Sequence, residues 1–174
     1  MRQITLSSLA ELSRLDFDEV IDVRSPAEFA EDHVPGAVNL PVLDDAERAR
    51  VGTVYTRESR FRARRMGAAL VARNAALHLE GYLADKPASY RPLVYCWRGG
   101  QRSGSFALIL GQIGWQVGVV AGGWRSYRRL VAGALYDSPF PAPLFVLDGN
   151  TGTAKTAILH EVRARGGQVI DLEG

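Results

Sequence analysis

The chain has 174 residues, 47% apolar and 23% charged, with a formal net charge of +2 and a single cysteine. That length and composition suit one well-buried domain and a little more, and they exclude a disordered or fibrous chain. One cysteine excludes an internal disulfide, and with no signal-peptide pattern and no apolar run of about 18 residues the expected location is cytoplasmic, with no membrane partner.

In chain order, "EVIDVRSP" (19–26) reads as a buried strand running into a loop, and "PAEFAEDH" as a short helix with proline in its first turn. Pro35-Gly36 marks a turn, and Val38 begins a brief second strand. From Asp44 to Ala84 the pattern is helical, with no proline to interrupt it. "RPLVYC" (91–96) is another buried strand, "SGSFALILGQIG" a helix ended by Gly114, and "WQVGVVAGG" a further strand. Strands alternating with helices predict an α/β fold, a parallel sheet with helices on both faces. "DSPFPAP" (137–143) has three prolines in seven residues and reads as a stiff linker. Beyond it, "LFVLD" is expected to be a strand, followed by a glycine-bearing turn, a helix near 155–165, and a strand in "GGQVIDLEG". The expected organisation is a domain over 1–136, the linker, and an incomplete unit over 144–174, too short to close a core of its own.

Cys96 ends a predicted strand and Ser103 opens the next helix, the place where open α/β sheets hold ligands. The seven residues from Cys96 to Arg102 include Gly99 and Gly100, so successive backbone N–H groups can converge on one centre and cradle an anion. The following helix adds partial positive charge, and Arg98 and Arg102 add guanidinium donors. The same field lowers a thiol pKa. One loop therefore offers both an anion cradle and a thiolate nucleophile, where a merely structural cysteine would need neither.

These residues resemble known families. "VIDVRSPAEFAEDHVPGAVNLP" is similar to the first signature of rhodanese domains, and "YCWRGGQRS" to their active-site loop. More narrowly, "VGTVYTRESRFRARRMGAALVARNAALHL" (51–79), "CWRGGQRSGSFA" and "AGGWRSYRR" (121–129) together resemble tRNA 2-selenouridine synthases, in which a rhodanese domain precedes a P-loop domain. The resemblance implies an enzyme that replaces the sulfur of wobble 2-thiouridine in tRNA by selenium. Selenophosphate is the implied donor, geranyl diphosphate makes an S-geranylated intermediate, and no cofactor is tightly held. It also implies Cys96 as the essential cysteine, with Trp97, Arg98, Gly99, Gly100, Gln101 and Arg102 as its loop. That loop is one residue longer than in thiosulfate-type rhodaneses and matches the C-x5-R length of rhodanese-fold phosphatases. A longer loop suits a tetrahedral phosphorus oxyanion, and it keeps a phosphatase, an arsenate reductase or a generic sulfurtransferase as the alternative. A phosphatase must protonate a leaving oxygen, and "WRGGQ" contains no carboxylate.

"GNTGTAKT" (149–156) stands between a predicted strand and a predicted helix, the setting of a phosphate-binding P-loop. Gly149, Gly152, Lys155 and Thr156 are its candidate ligand residues, with Ala154 where glycine usually precedes the lysine. After Thr156 only Asp171 offers an acidic strand end, so nucleotide hydrolysis is not expected. "RESRFRARR" (57–65) carries Arg57, Arg60, Arg62, Arg64 and Arg65 against one glutamate. Arg57, Arg60 and Arg64 would share one helical face, which fits either tRNA phosphate contact or a solvated surface. Trp97 fits a pocket wall, a stacked base or the core alike. The histidines are scattered, and no metal site is expected.

Overall fold

Pro92–Tyr95 is buried at every position, as a strand covered from both sides must be. In the computed structural model of the chain, which describes residues 1–137, 139 and 142–172, this run is the middle of a five-stranded sheet. The strands are β1 (Arg2–Ile4), β2 (Glu19–Asp22), β3 (Val38–Asn39), β4 (Pro92–Tyr95) and β5 (Gly118–Val120). Their order is β1-β5-β4-β2-β3, and every pairing is parallel. The helices are α1 (Leu9–Leu12), α2 (Pro26–Glu31), α3 (Asp45–Arg57), α4 (Arg60–Glu80), α5 (Gln101–Gln112), α6 (Gly123–Tyr136) and α7 (Lys155–Ala164).

The two-residue period of β4 sorts its side chains between two cores. Val94 and Cys96 point to one face, with Leu70, Val71 and Ala75 of α4 and Phe106, Ala107 and Leu110 of α5. Leu93 and Tyr95 point to the other, with Ile4, Val120 and Trp124. Burying each such Val, Leu or Phe fully is worth about 1.5–3 kcal/mol, so the sheet is held by both layers. The expected fold is confirmed, with helices on both faces of a parallel sheet.

Two boundaries differ from expectation, and three elements were not anticipated. The helix predicted from Asp44 to Ala84 is two helices: α3 stops at Arg57, and Ser59 caps α4 by accepting a hydrogen bond from the Arg62 N–H at 3.4 Å. A serine side chain that satisfies a free helix N–H starts a new helix without any proline. Helix α5 begins at Gln101 rather than Ser103, so Gln101 and Arg102 are first-turn residues and Gly100 is the N-cap. β1, α1 and α6 were not predicted; β1 is three residues long, below what periodicity can signal.

The chain divides into two units, 1–138 and 139–174. In the second, the predicted turn and helix form, as α7, but among the described residues 144–148 and 166–172 lie in no strand ladder. Phe145 is 93% exposed and Val146 90%. Two short segments have too few neighbours to satisfy a sheet's hydrogen bonds. Parts of the expected linker (Ser138, Phe140, Pro141) and of the last expected strand (Glu173, Gly174) lie outside the described residues.

Candidate active site

The loop after β4 is shaped by a second loop beneath it. Gly99 has φ +64°, and a Cβ there would lie 2.6 Å from the Val120 carbonyl oxygen. Gly123, at φ +58°, would place a Cβ 2.1 Å from the carbonyl oxygen of Cys96. Only glycine permits both the left-handed backbone and this closeness. The first turn of α6 then holds the loop from below: Trp124 N–H donates to the Cys96 carbonyl (2.8 Å) and Arg125 N–H to that of Trp97 (3.2 Å). The free donors of one helix terminus are thus spent on positioning the cysteine loop.

Cys96 is buried, 3% exposed. Burial by itself pushes its thiol pKa up. That effect is outweighed by the Ser103 hydroxyl, which donates to Sγ at 3.2 Å, by the Ser103 and Arg98 backbone N–H groups and by the charge of Arg102. The net effect holds the thiol below its ordinary value and favours thiolate.

Arg102 reaches sideways. Its Nη1 and Nη2 donate to the two oxygens of Glu28 at 2.5 and 3.2 Å. Burial raises the Glu28 pKa, but Arg102, the Ser25 N–H and the nearby Arg48 lower it further, so the carboxyl stays below the usual range. Arg98 is exposed beside the loop. Behind it, Arg24 is fully buried and forked onto Asp22, with Nη2 to Oδ2 at 2.7 Å and Nη2 to the Asp32 carbonyl at 2.6 Å. The Asp22 fork and the ring of Trp124, 4.8 Å away, compensate the charge. The structure brings Cys96, Ser103 and the first turn of α5 together, while the guanidinium of Arg102, expected to aim at an anion, is held by Glu28.

Residues 5–130 match the rhodanese-like domain. The chain belongs to that family. Over its whole length the rhodanese-containing chain is 37% identical to a protein of Aeromonas salmonicida named tRNA 2-selenouridine synthase, and covers 46% of it. It is 34% identical to a protein of the same name in Nitrosomonas europaea, covering 88% of this chain and 40% of that one. The chain therefore spans less than half the length of these curated relatives. Among solved structures, the N-terminal domain of a Clostridium difficile 630 protein named for ATP/GTP binding superposes with TM-score 0.62 at 32% identity, over 74% of this chain and 97% of that one.

Two cavities flank the rhodanese loop. One, of about 120 Å³, lies between α3, α4 and α5 and is lined by Arg64, Gly67, Gln101 and Arg102. The other, of about 430 Å³, is lined by Trp97, Trp124, Glu28 and three arginines of α6. Trp97, 36% exposed, is a pocket wall and not core.

The basic run is divided by the helix break. Arg57 ends α3 while Arg60, Arg62, Arg64 and Arg65 begin α4, so the face expected to unite Arg57, Arg60 and Arg64 is not a single helix face. Arg62 pairs with Glu58 at 2.8 Å, and Arg60 lies over Tyr55.

In the second unit the P-loop lysine is folded into its own loop. Lys155 Nζ donates to the carbonyls of Gly149 (2.7 Å) and Asn150 (3.2 Å), and Gly152 supplies a positive φ of 87°. Lys155 and Thr156 open α7 and share a cavity of about 350 Å³ with Leu144, Leu159 and Asp171. Among the described residues no group of three His, Cys, Asp or Glu side chains could hold a metal ion, and no helix is long and apolar enough to cross a membrane.

Sequence reasoning missed the site roles of Ser103, Glu28 and Gly122-Gly123. The paired glycine at the start of a helix was the available signal for the last.

Proposed function

We propose that this chain carries the cysteine-bearing part of an enzyme that puts selenium in place of the sulfur of wobble 2-thiouridine in tRNA. The observation that carries the reading is the geometry around the one thiol: Cys96 follows β4 directly, before the loop into α5, and the Ser103 hydroxyl of that helix donates to its Sγ at 3.2 Å. The printed names of the relatives point to the same chemistry.

Selenophosphate offers a tetrahedral anion that such a loop can hold. The Cys96 thiolate attacks the phosphorus of selenophosphate protonated on selenium; the S–P bond forms, the P–Se bond breaks, and the hydrogenselenide anion leaves with the electron pair and its own proton. No further proton has to be supplied to this leaving group, which suits a loop interior with no carboxylate. Hydrogenselenide then adds to C2 of S-geranylated 2-thiouridine and geranyl thiolate departs. Water hydrolyses the S–P bond, returning thiolate and phosphate, and no oxidant is consumed. Geranyl diphosphate supplies the thioether: the sulfur of 2-thiouridine attacks the geranyl C1, the C–O bond breaks, diphosphate leaves and the N3 proton is lost to water, with the P-loop residues Gly149, Gly152, Lys155 and Thr156 as candidates to hold the diphosphate. Arg57, Arg60, Arg62, Arg64 and Arg65 are candidate tRNA contacts.

Selenide release from selenophosphate, followed by thiol-trapping and ³¹P spectroscopy, tests the central step. Wild type should release selenide and Cys96→Ser should not; equal release by both would refute Cys96 as nucleophile. Rapid hydrolysis of an aryl phosphate that disappears in Cys96→Ser would favour the phosphatase alternative.

A further inference from the structure

The cavity beside Trp97 has two chemically different walls. On α6, Arg125, Arg128 and Arg129 are exposed along one side of it; Glu28 and Glu31 of α2, with Asp32 just after it, line the other. Three of these six charges are already matched. Glu28 is held by Arg102, and Asp32 accepts from Arg128 at 3.3 Å. Arg125 and Arg129 have no ion pair among the described residues, and each keeps its full donor set for an incoming group. The indole of Trp97 closes the end nearest the cysteine loop and is the most exposed of the three tryptophans, at 36% against 8% for Trp115 and 3% for Trp124.

We infer that this cavity is where a single-stranded stretch of the RNA substrate docks, with backbone phosphates on Arg125 and Arg129 and one unstacked base against Trp97. This rests on the tRNA reading above and adds the face and the contacts. The separation of charge sets the orientation. Phosphates are repelled by the α2 wall and attracted by the α6 wall, whereas a base carries N–H groups that carboxylates and carbonyls on the α2 side can accept. Guanidinium forks match phosphate oxygens in pairs, and an exposed indole gives an unstacked base a stacking partner. The volume of about 430 Å³ suits a nucleotide-sized group. Because Trp97 follows Cys96 directly, and the Arg125 N–H holds the Trp97 carbonyl, a base stacked there is delivered to the loop that bears the thiol.

The test uses the 174-residue chain and a synthetic anticodon stem-loop RNA with 2-thiouridine at the wobble position, without selenophosphate. Binding should quench tryptophan emission, and Trp97→Leu should abolish the quench. Arg125→Gln/Arg129→Gln should weaken affinity at least tenfold and flatten the plot of log affinity against log salt by about 0.7 per lost contact. Arg2→Gln/Arg14→Gln, removing the same charge away from the cavity, should leave that slope unchanged, and circular dichroism shows whether each variant is folded. An unchanged slope in folded Arg125→Gln/Arg129→Gln would overturn the inference. So would equal affinity for a polyglutamate chain, which would mark the face as one for an acidic protein. If wild type binds RNA through this face yet releases no selenide from selenophosphate, the transfer reading fails and the docking face stands.

Discussion

Glu28 of α2 clasps Arg102 of α5 with both carboxylate oxygens, 2.5 and 3.2 Å from the guanidinium nitrogens, and so ties the end of the cysteine loop to the helix that follows the first signature strand. Both side chains are mostly buried, 15% and 18% exposed. The arginine that sequence reading aims into the anion nest is therefore positioned by a carboxylate, and acts on Cys96 through its charge.

Glu28→Gln should destabilise the domain by roughly 1–2 kcal/mol, between the worth of an exposed pair and that of a fully buried one. Because the folded pKa of Glu28 lies below its ordinary value, the contribution is complete above about pH 4.3 and is lost as pH falls through the folded pKa. Urea unfolding of both proteins across this range should show a constant difference at neutral pH that shrinks in acid. A difference independent of pH would assign the effect to something other than ionisation.

Ser103→Ala should raise the thiol pKa of Cys96. The serine hydroxyl is the largest influence opposing burial, and its removal leaves the sulfur with backbone donors alone. Iodoacetamide alkylation followed against pH should give a lower midpoint for wild type than for the variant. Coincident curves would show that the 3.2 Å contact does not bear on reactivity.

Gly123→Ala should cost roughly 2–5 kcal/mol, combining a strained left-handed backbone with a Cβ forced onto the Cys96 carbonyl. Gly104→Ala is the contrast: it lies inside α5 with nothing within 4 Å of the new methyl, and should stabilise by about 0.4–1 kcal/mol. Thermal unfolding of the pair checks both signs at once.

Ala154→Gly should favour the start of α7. Ala154 has φ +59°, a region that costs a residue with a Cβ about 1–2 kcal/mol. Far-ultraviolet circular dichroism should show the gain in helix, and pyrophosphate should bind more tightly to the variant. In wild type, isothermal titration with geranyl diphosphate should show no micromolar binding, since Phe145 and Val146, along the same cavity, are left almost wholly in water.

The sequence by itself determined the inner strands of the sheet, because buried parallel strands such as Pro92–Tyr95 must be apolar runs, and it placed Cys96, Gly99, Gly100 and Arg102 within one loop, because they lie within one stretch of chain. Local signals of this kind need no distant partner. What only the tertiary structure decided involves residues far apart in sequence: Glu28 against Arg102, Gly123 beneath Cys96, and the arginines of α6 beside Trp97. No periodicity encodes these, since they arise when β2, β4 and β5 align in parallel and bring their carboxyl ends to one edge. The same rule accounts for residues 144–148, apolar enough to be read as a strand, yet in no ladder among the described residues, because a strand exists only where a neighbour accepts its hydrogen bonds.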